Sequence, residues 1–217
     1  IRQIFRVMDD FKDVRAILGK GIKNYRMQGL YGVPTQCAMA VGDALLLNKK
    51  QFLSGSVNNF KDLAKAGPES YFGVYRSHTS CLWRAVDLLD DLEDGEISEQ
   101  NSSTALFTSL AIPLAIFQGK WSKTLAKQCF DACLLMSRNR FEVVGAVLTG
   151  FLVTRFLALC PDELDCVNIL QEAEQVCQQA EADYLQKFPE YENEKGSNAL
   201  SEILKNFAEK SQDPDFM

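Results

Sequence analysis

Residues 141–160 read FEVVGAVLTGFLVTRFLALC, a segment apolar on nearly every face of the helix it would form. Such a helix must be enclosed by other elements or by lipid. Arg155, Gly145 and Gly150 interrupt it, and nowhere in the chain do eighteen apolar residues follow one another. The expectation is therefore a helix buried in protein, with no membrane span. The remaining sequence has to supply its cover, and with 217 residues, 47% of them hydrophobic, it has the material to do so.

The rest of the chain is also helical in its periodicity. Helices are expected near 1–18, 35–53, 57–66, 69–94, 102–118, 121–137, 139–159, 162–187 and 197–210. Breaks fall at GKG (19–21), GLYGVP (29–34), SGS (54–56), AGP (66–68), DGEISEQNSS (94–103), CPDE (160–163) and FPEYENEKGS (188–197), each rich in Gly, Pro, Ser or Asn. Pro113 in LAIPLAIF should kink its helix. No alternating pattern long enough for a strand occurs. This predicts an all-α single domain over 1–217, a helical bundle with a frayed tail at 211–217. The opening IRQIFRVMDD resembles the middle of a helix, so an incomplete N-terminus is expected and a targeting peptide stays open.

Charge and cysteine usage narrow the function. Net charge is −6 and no Lys/Arg cluster exceeds a pair, which argues against nucleic acid as a partner. The seven cysteines, Cys37, Cys81, Cys129, Cys133, Cys160, Cys166 and Cys177, are scattered among apolar neighbours without a CxxC. Buried free thiols in a reducing, cytoplasmic compartment fit that scatter better than disulfides or a zinc site. His78 is the only histidine, which excludes a His-rich metal site and leaves little room for a Ser-His-Asp triad.

Two acidic clusters then stand out. AVDLLDDLEDGEISEQ places six acids, Asp87, Asp90, Asp91, Glu93, Asp94 and Glu96, within ten positions, and FRVMDDFKDVR holds Asp9, Asp10 and Asp13. At an effective dielectric of about 20, two carboxylates roughly 6 Å apart repel by about 3 kcal/mol, so water or a cation must sit between them. On a helix, Asp87, Asp90, Asp91 and Asp94 share an arc of about 100° opposite Leu82, Ala85, Leu88, Leu89 and Leu92. Asp9, Asp10 and Asp13 do the same opposite Ile4, Val7 and Phe11. Oxygen-only clusters suit Mg²⁺ completed by substrate phosphates; a solvated helix face is the plain alternative.

Asp-Asp-x-x-Asp on helices of an all-α chain resembles the class I isoprenoid synthases, most closely the trans-isoprenyl diphosphate synthases. YGVPTQCAMAVGDALLL (31–47), with Tyr31, Gly32, Gly42, Asp43, Leu45 and Leu46, is similar to the stretch after that family's first motif, and STALF (103–107) to a later element. The closing AEADYLQKFPEYENEKGSNALSEILKNFAEK is similar to its last helices. The resemblance implies an isoprenoid-synthase-type bundle and a transferase that binds an allylic diphosphate through Mg²⁺ at Asp9, Asp10, Asp13, Asp90, Asp91 and Asp94. A homodimer is left open. Lys20, Lys23 and Arg26 in GKGIKNYR could meet the diphosphate, or simply line a solvated loop. The family's paired arginines are reduced to Arg26, and which family motif each cluster matches stays open. Two other readings stand beside it: an all-α nucleotide pyrophosphatase, and a non-catalytic homologue acting as a partner subunit. The apolar segments around 104–117 and 142–159 could wall a hydrophobic tunnel or form plain core.

Overall fold

A computed structural model describes residues 33–65, 106–160, 165–193 and 199–211, all within the unit Val33–Met217. Among the described residues every regular element is helical. In chain order these are α1 (Val33–Leu47), α2 (Phe52–Lys65), α3 (Ala111–Gln118), α4 (Lys123–Leu134), α5 (Arg140–Ala158), α6 (Cys166–Lys187) and α7 (Leu200–Ser211). Short 3₁₀ turns at Lys49–Gln51, Leu106–Leu110 and Pro189–Asn193 join or precede them.

The segment that demanded cover receives it over its middle, while Phe141, Phe156 and Leu157 towards its ends stay exposed. Helix α5 packs against α3, α4, α6 and the 3₁₀ turn Leu106–Leu110, with Val143, Val144, Ala146, Val147, Gly150 and Phe151 buried. It is the one described helix long and apolar enough to cross a membrane, and its burial makes it the central core helix. Close neighbours are possible because it carries glycine at contact points. A Cβ on Gly150 would lie 2.6 Å from Cys129 Sγ of α4, and one on Gly145 would lie 3.2 Å from Thr108 Cγ2.

Helix ends follow local chemistry. Ser122 Oγ accepts the Leu125 amide (3.1 Å), Asn139 Oδ1 the Glu142 amide (3.2 Å), and Asp165 Oδ1 the amides of Val167 and Asn168 (both 3.1 Å). Each satisfies a donor that the first helical turn leaves without a partner. Gly119 ends α3 at φ +69°, its amide donating to Ala115 O (2.9 Å), the left-handed cap that glycine adopts without strain.

Two sequence expectations are corrected. The break expected at Ser54-Gly55-Ser56 lies earlier, at Asn48, whose side chain accepts the Lys50 amide and donates to Gln51 Oε1. Ser54 and Ser56 stay inside α2 because their hydroxyls donate to the carbonyls of Gln51 (3.0 Å) and Phe52 (2.7 Å). Gly55 marks a close helix crossing, since a Cβ there would meet Ala44 Cβ at 3.1 Å. Pro113, expected to kink a continuous helix, sits in the first turn of α3, just after the 3₁₀ turn. There a missing N–H costs least, so the proline marks a change of helix type.

At the C-terminal end, α7 packs on α6, and Ser201 donates its amide and hydroxyl to Glu181 (3.2 and 2.6 Å). The Tyr184 hydroxyl donates to the Arg138 carbonyl, tying α6 to the link between α4 and α5. Phe130, Phe188 and Tyr191 surround the Tyr184 ring at centroid distances of 5.0–6.5 Å.

Candidate ligand groove on the central helix

Helix α5 packs against both α4 and α6. Between α4 and α6 lies a groove of about 680 Å³. Its floor is α5, through the buried side chains of Val147 and Phe151. Ala126 of α4 with Val176 and Ala180 of α6 form the inner walls, and their small size leaves the space open. Aromatic rings also line it. Trp121 meets Phe151 edge-on (centroids 5.4 Å apart, planes at 80°), and Phe130 packs against Tyr184.

The rim is polar and largely satisfied from within. Lys127 pairs with Asp131 one turn on (2.7 Å), and Arg155 pairs with Glu172 (3.0 Å), which also accepts from Asn168. Gln179 Nε2 donates to Asp183 Oδ1 (2.8 Å), leaving its amide oxygen turned to acceptance. Lys123, exposed beside Trp121, has no ion pair among the described residues. A volume of this size falls inside the roughly 300–1,000 Å³ range of small-molecule sites, with an apolar lining and few polar groups at its edge.

All the residues singled out for metal and diphosphate, Asp9, Asp10, Asp13, Asp90, Asp91, Asp94, Lys20, Lys23 and Arg26, lie outside the described residues, as does His78. Among the described residues no three His, Cys, Asp or Glu side chains gather as a metal site. Of the two segments weighed as tunnel walls, the α5 segment supplies the groove floor, while α3 faces the core elsewhere. Sequence reasoning missed the groove's Trp121, Ala126, Phe130 and Gln179. The available signal was weak: Lys123, Lys127 and Asp131 repeat every fourth residue along one edge of α4, with Ala126 and Phe130 just inside them.

Of the described cysteines, Cys37, Cys129, Cys133, Cys166 and Cys177 are free thiols. Cys37, Cys129, Cys133 and Cys177 are buried as expected, whereas Cys160 and Cys166 are exposed. Burial pushes the Cys37, Cys129 and Cys177 thiols up to about 12, with Glu181 adding to the effect at Cys177. Cys133 is raised well above its ordinary value by burial, then by the charges of Glu142 and Cys129. These thiols serve as small core side chains without thiolate character.

No family model, curated protein or solved structure matches this chain.

Proposed function

We propose that the chain is a Mg²⁺-dependent, class I isoprenoid-synthase-like transferase acting on an allylic diphosphate. The observation that carries the reading is the doubled Asp-Asp-x-x-Asp, at 9–13 and 90–94, each in a stretch whose apolar residues recur at helical spacing. The all-helical character of the described residues is in keeping with it. Asp9, Asp10, Asp13, Asp90, Asp91 and Asp94 would hold the metal, with Lys20, Lys23 and Arg26 available to the diphosphate. A metal bound there would offset the negative charge that builds on a departing diphosphate. That chemistry needs no covalent nucleophile, in keeping with a sequence that has little room for a catalytic triad.

Thermal melts test this directly. Pyrophosphate with Mg²⁺ should stabilise the full chain more than Mg²⁺ alone, by about 2.7 kcal/mol at a hundred times the dissociation constant. The Asp90→Asn/Asp91→Asn variant should lose that increment. Equal shifts in both proteins would overturn the assignment. Tight diphosphate binding without turnover of dimethylallyl, geranyl or farnesyl diphosphate would instead favour the non-catalytic homologue. The reduction of the family's arginine pair to Arg26 supports that second reading.

A further inference from the structure

We infer that the groove between α4 and α6 is a binding site for an elongated apolar molecule with an uncharged polar end, such as a hydroxyl or carbonyl group. The inference does not rest on the acidic motifs. Three observations carry it. The space is concave and ligand-sized, about 680 Å³, and floored by the buried Val147 and Phe151 of a central helix. Its lining runs along α4 from Trp121 to Asp131, roughly 15 Å at the helical rise per residue, and small aliphatic side chains stand beside the rings of Trp121, Phe130 and Phe151, so the apolar part suits a hydrocarbon or flat ring body.

The third observation is the charge of the rim, which selects the head group. Of the six charged side chains there, Lys127 is already held by Asp131, and Glu172 by Arg155 from just outside the lining, which leaves Lys123, Lys187 and Asp183. A diphosphate would have to break these pairs or share the rim with Asp183, and would give up its hydration for the weak attraction of two exposed lysines. A neutral hydroxyl or carbonyl can exchange hydrogen bonds with the Gln175 and Gln179 amides at no charge cost.

The site can be tested with the full chain and Nile red, an uncharged dye whose emission rises on entering an apolar pocket. Saturable binding at one dye per chain is expected, displaced by farnesol or dodecanol and not by farnesyl diphosphate in the absence of Mg²⁺. Ala126→Phe, at a half-buried position that projects into the space, should weaken dye binding at least tenfold while leaving the melting temperature within a few degrees. Val176→Phe fills the same space from α6 and covers the case in which the first variant fails to fold. Absence of saturable binding, or wild-type affinity in a folded filled variant, would overturn the site. Displacement by the diphosphate more readily than by the alcohol would overturn the neutral-headed class. Neither result bears on pyrophosphate binding with Mg²⁺, so the two proposals fail separately.

Discussion

At the scale of single residues, the cysteines make the sharpest division. A thiol surrounded by core atoms loses the hydration that its ionised form needs. Native-state thiol titration should therefore label Cys160 and Cys166 quickly, and Cys37, Cys129, Cys133 and Cys177 only after denaturation. Labelling of Cys129 at the rate of Cys160 in the native protein would contradict the packing of α4 on α5. The same burial sets a pH dependence. The folded thiols ionise near 12 and unfolded ones near 9, so the unfolded chain gives up its protons first as pH rises. The contribution is intact below about pH 9 and is lost on the way to about pH 12. Alkaline melts should show that decline, and Cys37→Ala should blunt it; a flat profile across this window would argue against buried thiols.

At the scale of elements, glycines in helices have two opposite meanings. Gly150 of α5 has Cys129 Sγ within 2.6 Å of where a Cβ would stand, with Trp121 and Ala111 just beyond. Gly150→Ala should destabilise the fold by about 1–3 kcal/mol, as overpacked cores do. Gly42 of α1 faces only Pro113 Cβ, at an ordinary 3.5 Å. There Gly42→Ala should be neutral or stabilise by up to about 1 kcal/mol, through the helix propensity that alanine restores. Denaturant titration of both variants checks the pair, and equal losses would show that the close approach at Gly150 is not what fixes it. A third change, Ser122→Ala, should cost about 1 kcal/mol by freeing the Leu125 amide at the start of α4.

The same elements show what a reader of the sequence can and cannot see. Helix existence was legible because apolar positions such as Cys37, Ala40, Val41, Ala44 and Leu45 recur at helical spacing along α1. The break at Asn48 was not. Its neighbours, LLLNKK, continue the helical pattern, whereas the Ser54-Gly55-Ser56 run looks like a turn until its hydroxyls are seen returning to the backbone. Gly55 belongs to a crossing with Ala44, a partner eleven residues away that no local pattern reveals.

At the scale of the whole molecule, the groove was illegible for a related reason. Ala126, Val147, Val176 and Ala180 each look like ordinary core residues, and only the meeting of three helices turns them into the lining of one space. Periodicity identifies a buried face and says nothing of which faces share a cavity. The acidic motifs present the reverse case: conspicuous in sequence, and outside the described residues. The decisive measurement for them is therefore the Mg²⁺ and pyrophosphate melt, where the response of Asp90→Asn/Asp91→Asn speaks for the whole chain.

The glycine contacts of α5 also govern how this body can deform. Where α4 rests on Gly150 and the Leu106–Leu110 turn on Gly145, a slide of one turn would drive side chains into backbone, so these neighbours are keyed to the central helix like teeth in a rack. Helix α6 meets α5 with no described glycine on its own surface, and its carboxylate at Glu181 carries α7 along through Ser201. Any widening that admits a guest should thus be a shear of α6 and α7 together against α3, α4 and α5, and it must loosen the Tyr184–Arg138 hydrogen bond and the Arg155–Glu172 pair that hold α6 in place. Hydrogen exchange would register it as faster opening along α6 and α7, slowed on ligand entry, beside an α5 that exchanges only when the whole molecule unfolds.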